Sequence, residues 1–172
     1  MKTAKVNVVP YDRRWRSDFE KIKRELEAAL GALALSVEHI GSTAVEGLSA
    51  KPCIDIDVVI KERSHLPEVI ERLANIGYIH EGDLGIEGRE AFDYKDKPHL
   101  AKHHLYVCPK DSAELRRHIA FRDYLRANPE AVKEYSRIKE EGAALFPFDI
   151  DKYIEYKSPF INEFYKMFGL DT

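Results

Sequence analysis

Cysteine is scarce in this chain: Cys53 and Cys108 are the only two in 172 residues. No CxxC pair exists, which argues against a cysteine zinc site. Both cysteines sit in apolar, strand-like runs, where a free thiol behaves as a small buried hydrophobe. A reduced, cytoplasmic protein is the natural reading. Long hydrophobic runs are also missing. Nothing approaches the ~18 apolar residues of a membrane span, and the opening MKTAKVNVVPYDRRW has no signal-peptide segment, so no membrane partner is expected. Nor is there an excess of one charge. The 27 Lys+Arg and 30 Asp+Glu leave a net charge of −3, which makes nucleic acid an unexpected partner, though a local basic cleft stays open. The P-loop spacing G-x-x-x-x-G-K-[ST] is absent, as is the G-x-S-x-G elbow of serine hydrolases.

What is present describes a globular protein. Hydrophobic residues make up 44% and charged residues 33%, enough for a sizeable core without disulfides. The length fits a single domain over 1–172, within the usual ~100–200 residues. Alternation over Lys5–Val9 predicts a short strand ended by Pro10. Trp15, Phe19, Ile22, Leu26, Ala29 and Leu30 recur at spacings of three and four, which predicts a helix stopped at Gly31. Strands are expected over 33–40, 53–60, 89–94 and 103–108, the last two forming a hairpin. Another strand begins near Tyr78, and a helix over 64–76 is capped by Ser64. After Asp111 the pattern becomes helical. Ser112 caps one helix, Pro129 starts the next, and Asp149 opens the last, with Pro159 as a candidate kink. Strands before residue 110 and helices after it predict an α/β (α+β) fold: a sheet with flanking helices and a C-terminal helical layer.

Residues 39–60, HIGSTAVEGLSAKPCIDIDVVI, carry the chemistry. Asp55 and Asp57 lie two apart in a strand-like run, so both carboxylates share one face while Ile54, Ile56 and Val58 take the other. Two convergent carboxylates suit Mg²⁺ or Mn²⁺, hard cations that share coordination with substrate phosphates. Salt bridges at a strand end are the plainer alternative. Gly41-Ser42 follows a strand, where glycine lets backbone amides approach a phosphate and serine adds a donor. A Gly-Ser dipeptide alone is only a turn.

An apolar residue, Gly-Ser, a gap of about a dozen residues and then D-h-D in a strand resembles the signature of the polymerase-β-like nucleotidyltransferase superfamily. Within it, the chain is similar to the GrpB-like family. The resemblance continues through PYDRRW (10–15), GREAFDY (88–94), HHLYVC (103–108), AFRDYLRANPE (120–130), YSRIKE (135–140) and DKYIEYKSPFI (151–161), nearly the whole chain. It implies a nucleotidyltransferase-type mixed sheet with Gly41, Ser42, Asp55 and Asp57 on the motif positions. It also implies a metal-dependent transfer of a nucleotidyl group from a nucleoside triphosphate to an acceptor that the sequence does not name.

The superfamily generally adds a third carboxylate on a neighbouring strand. Here 103–108 offers His104 and Tyr106 on one face and no acid, so His104 is a candidate metal ligand, or else a structural histidine. Asp93 is the nearest acidic substitute. A non-catalytic nucleotide- or anion-binding protein on the same fold is the alternative reading. Lys51, Arg89, Arg122, Lys139 and Lys157 are the candidate phosphate-binding cations. Solvated ion pairs (Arg122 with Asp123, Lys139 beside Glu140 and Glu141) are the plainer role for each. His39 either holds the turn or lines the pocket. A zinc site of His99, His103 and His104 is disfavoured, because His103 and His104 point oppositely on a strand.

Overall fold

The computed structural model describes residues 4–171. Five strands form one mixed sheet in the order β1-β2-β5-β4-β3. They are β1 (Ser36–Ile40), β2 (Ile54–Ile60), β3 (Tyr78–Gly82), β4 (Glu90–Tyr94) and β5 (His103–Pro109). Only β2 and β5 run parallel. β1 lies antiparallel to β2, and β4 is antiparallel to both β5 and β3. The helices are α1 (Arg14–Leu30), α2 (Leu66–Ala74), α3 (Ala113–Ala127), α4 (Pro129–Leu145) and α5 (Ile150–Met167).

The two sheet faces have different partners. Trp15, Phe19, Ile22, Leu26 and Leu30 of α1 and Val69 and Leu73 of α2 pack against Ile54, Ile56, Val58, Leu105 and Val107. Each such side chain contributes about 1.5–3 kcal/mol on full burial, so this face anchors β2 and β5. On the helical side, α3–α5 and the loop after β1 build a second apolar cluster around Val45, Leu48, Phe121, Leu125, Tyr135 and Phe164. Gly142 lets α4 and α5 approach closely. A Cβ there would meet the Tyr156 ring at 2.9 Å and the Tyr153 ring at 3.2 Å.

Ser112 caps α3 by accepting from the Leu115 amide, and Asp149 caps α5 by accepting from the Lys152 amide. α5 runs through Pro159 without ending. Three expectations fail locally. Lys5–Val9 forms no strand, because only Val9 finds a pairing edge, a single bridge to Ala50. β1 starts at Ser36 rather than residue 33, since Gly31–Leu33 coil into a 3₁₀ turn. Ser64 does not cap α2, because Arg63–His65 form another 3₁₀ turn ahead of it.

Candidate functional site

The site forms where β1 ends beside the start of β2. Ile40 lies opposite Asp55, and the chain then turns at Gly41, whose φ of 74° and ψ of −172° suit glycine. A Cβ at Gly41 would lie 2.5 Å from Asp55 Oδ2. Glycine is therefore required twice, by the backbone and by the carboxylate pressed against it. Ser42–Ala44 complete a 3₁₀ turn. His39 holds it from behind: its Nε2 lies 2.9 Å from Thr43 Oγ1 and its ring stacks on Phe19 at 4.6 Å. Burial and the nearby Arg126 and Arg122 push His39 down to about 4, so it is neutral.

Asp55 and Asp57 project from β2 on the face away from the α1/α2 core. Asp55 keeps 30% of its side chain exposed and Asp57 keeps 0%. Each meets a histidine. His104, the register neighbour of Asp55 on β5, places Nδ1 2.9 Å from Asp55 Oδ1. His118 of α3 places Nδ1 2.6 Å from Asp57 Oδ2, and its Nε2 lies 3.1 Å from Glu114 Oε1. Burial works against a charge on His118, but its bonds to Asp57 and Glu114 prevail and hold the ring up at about 9. The Asp55 and Cys53 bonds hold His104 up at about 10. Burial pushes the Asp57 carboxyl up despite its His118 partner. At neutral pH each acid therefore faces an imidazolium.

The cations are unequal. Lys139, 2% exposed, donates to Ser42 Oγ, with Nζ 5.0 Å from the centre of the Tyr135 ring. Burial, then Lys157 and Lys51, force its ammonium well below the ordinary lysine range. Burial and Lys51 lower Lys157 as well. Lys139 thus reaches the turn through Ser42 Oγ, and Lys157 lines the cavity beside it. Arg89 lies over the Tyr106 ring at 4.3 Å. Its Nε and Asp57 Oδ1 are two of the three buried side-chain polar atoms without a partner among the described residues. Arg122 is already engaged with Glu38, Asp123 and the His39 carbonyl.

A cavity of about 260 Å³ joins these groups. Gly41, Ser42, Asp55, Arg89, Arg122, Lys157 and His118 line its polar side, and Tyr106, Phe121, Tyr135 and Tyr165 its aromatic side. A wider open groove of about 1090 Å³ lies at the far end of β2 and β5, and none of the candidate residues lines it. Lys51 is exposed and outside the cavity lining. Asp93 is exposed on β4. The three histidines of the disfavoured zinc site go separate ways: His99 to Glu25, His103 to the Tyr78 hydroxyl, His104 to Asp55.

Sequence reasoning missed His118 and Glu114. Their i,i+4 spacing puts both on one face of α3, but nothing local says that this face meets β2.

A family model described as GrpB protein matches residues 5–167. The chain belongs to the GrpB family. It is 36% identical over 163 residues to the glutamate-rich protein GrpB of Alkalihalophilus pseudofirmus, covering 93% of this chain and 94% of that one. It is 32% identical over 157 residues to YqkA of Bacillus subtilis, covering 91% of this chain but 45% of YqkA, so it spans less than half of that relative. The crystal structure of GrpB from Enterococcus faecalis superposes with a TM-score of 0.76 at 32% identity, over 92% of this chain and 99% of that one. A structure of the Cid1 poly(U) polymerase with MgGTP bound matches with a TM-score of 0.53 at 12% identity, over 77% of this chain and 43% of that one. The GrpB chain therefore has a nucleotidyltransferase-type fold. No helix among the described residues is long and apolar enough to cross a membrane.

Proposed function

We propose that this GrpB chain binds a nucleoside triphosphate with Mg²⁺ or Mn²⁺ and transfers its nucleotidyl group to an acceptor hydroxyl. The observation that carries the reading is the convergence of the Gly41–Ser42 turn, Lys157 and Asp55 on one cavity, with Lys139 bonded to Ser42 behind it. The donor set fits a hard cation: Asp57 Oδ1 is buried without a partner, and Asp55 Oδ2 faces the turn where phosphates would lie. Bound by Asp55 and Asp57, such a cation would neutralise phosphate charge and polarise the reacting phosphoryl group. Gly41 and Ser42 grip phosphate oxygens through backbone amide and hydroxyl. Lys157 supplies the opposing charge with Lys139 behind Ser42, and Arg89 adds a guanidinium from the Tyr106 side. Attack by the acceptor oxygen on the α-phosphorus breaks the bond to the β-phosphate and releases pyrophosphate. Positioning and charge complementarity carry the catalysis.

One observation favours a second reading, a nucleotide- or anion-binding protein that transfers nothing. The β5 residues beside Asp55 and Asp57 are His104 and Tyr106 rather than a carboxylate. Titration with each nucleoside triphosphate and Mn²⁺, followed by assay of pyrophosphate release across acceptor pools, separates the two. Transfer predicts release by the wild type and none by the Asp55→Asn, Asp57→Asn double variant with its circular dichroism intact. Full release by that variant rejects the mechanism, and binding without release selects the second reading.

A further inference from the structure

The turn-facing oxygen of Asp55 belongs to the phosphate side, but its other oxygen faces a different donor set. Cys53, Asp55 and Asp57 are i, i+2 and i+4 along one chain direction, so Cys53 falls on the same face as the acids. It stands just before β2, where its amide bonds back to the Lys51 carbonyl. The parallel register of β2 and β5 brings His104 alongside Asp55. One ligand atom from each of Cys53, Asp55 and His104 lies within 4.8 Å of the others. Asp55 Oδ1 takes the His104 side while Oδ2 takes the Gly41 side.

We infer that Cys53, Asp55 and His104 form a binding site for a borderline divalent transition metal of the Zn²⁺ class, with the remaining coordination position open. Mg²⁺ prefers oxygen ligands alone and would leave the sulfur and the imidazole idle. Sulfur, imidazole and carboxylate together suit Zn²⁺ and its Co²⁺ substitute, and three protein ligands with an open position are the pattern of reactive rather than structural zinc. The His104 side chain is 54% exposed, which leaves an entry path from solvent. This site shares Asp55 with the proposed Mg²⁺ or Mn²⁺ site, but its Cys53 and His104 donors do not require nucleotidyl transfer.

The test is Co²⁺ titration of chelator-treated protein, read by its absorption spectrum. The expected result is saturable binding with a near-ultraviolet thiolate-to-cobalt band, reversed by Zn²⁺. Cys53→Ala should abolish that band, and both Cys53→Ala and the surface variant His104→Ala should weaken binding at least on the order of 10–100-fold, the loss seen for outer-shell partners. Zn²⁺ should also protect Cys53 from iodoacetamide. Cys108, 0% exposed with its thiol pushed up by burial, serves as the unreactive internal control. An unchanged cobalt spectrum in Cys53→Ala, or Cys53 alkylation indifferent to Zn²⁺, overturns the site. Asp57→Asn separates the two readings. With circular dichroism intact, it should keep the thiolate band while losing Mn²⁺-dependent nucleotide binding, and loss of the band there contradicts this ligand set.

Discussion

Asp57–His118 and Asp55–His104 are the same pair of residue types two positions apart on β2, in opposite surroundings. His118 and Asp57 are 16% and 0% exposed, and Glu114 backs the imidazole from behind. His104 and Asp55 are 54% and 30% exposed, with a sulfur donor beside them and Asp55 lining the cavity of about 260 Å³. In the buried pair each charge depends on the other, because the water that would solvate it is gone. In the exposed pair solvent screens the attraction, so little stability is at stake. The contrast shows that solvent access, more than residue type, sets how much an Asp–His pair contributes to stability.

Several variants break or sharpen that contrast. His118→Ala should have the largest effect. It strands the buried Asp57 and should cost about 3–5 kcal/mol in chemical denaturation, or roughly 6–20 °C in Tm for a chain of this size. That loss should ease on acidification, as Asp57 takes up a proton in place of its partner. The wild type should itself lose stability on the basic side. His118 is raised from 6.5 to about 9, so its contribution is complete below pH 6.5, declines as pH rises and is gone above about 9. The span is worth about 3 kcal/mol. Denaturation at a series of pH values should lose most of this decline in His118→Ala and little of it in His104→Ala.

Gly41→Ala comes next. A residue other than glycine in this backbone conformation costs roughly 1–3 kcal/mol, and the added carbon displaces the Asp55 carboxylate. Nucleotide affinity should therefore fall further than stability does, a split that calorimetry and thermal melts can read side by side. His104→Ala should change stability least, by under about 1 kcal/mol. A loss there as large as that of His118→Ala would erase the difference between the two pairs.

Local rules account for much of what was readable beforehand. The spacing from Trp15 to Leu30 predicted α1 and its buried face, Ser112 and Asp149 cap the helices they were expected to cap, and the strand period put Asp55 and Asp57 on one side. The unreadable parts depend on distant packing. His118 meets Asp57 across 61 positions and His104 meets Asp55 across 49, contacts set by the docking of α3 and the parallel β2–β5 register. Cys53 read as a core thiol because its run is apolar, and the β2–β5 register brings it beside His104 instead. The Lys5–Val9 alternation found no edge beyond Val9.

The most direct test of the central claim is calorimetric titration of the wild type and Asp55→Asn with each nucleoside triphosphate in the presence of Mn²⁺. A phosphate site built on Gly41, Ser42, the lysines and Asp55 predicts saturable, Mn²⁺-dependent binding by the wild type and its loss in the variant. No binding of any nucleoside triphosphate by the folded wild type, or equal binding by both proteins, would contradict it.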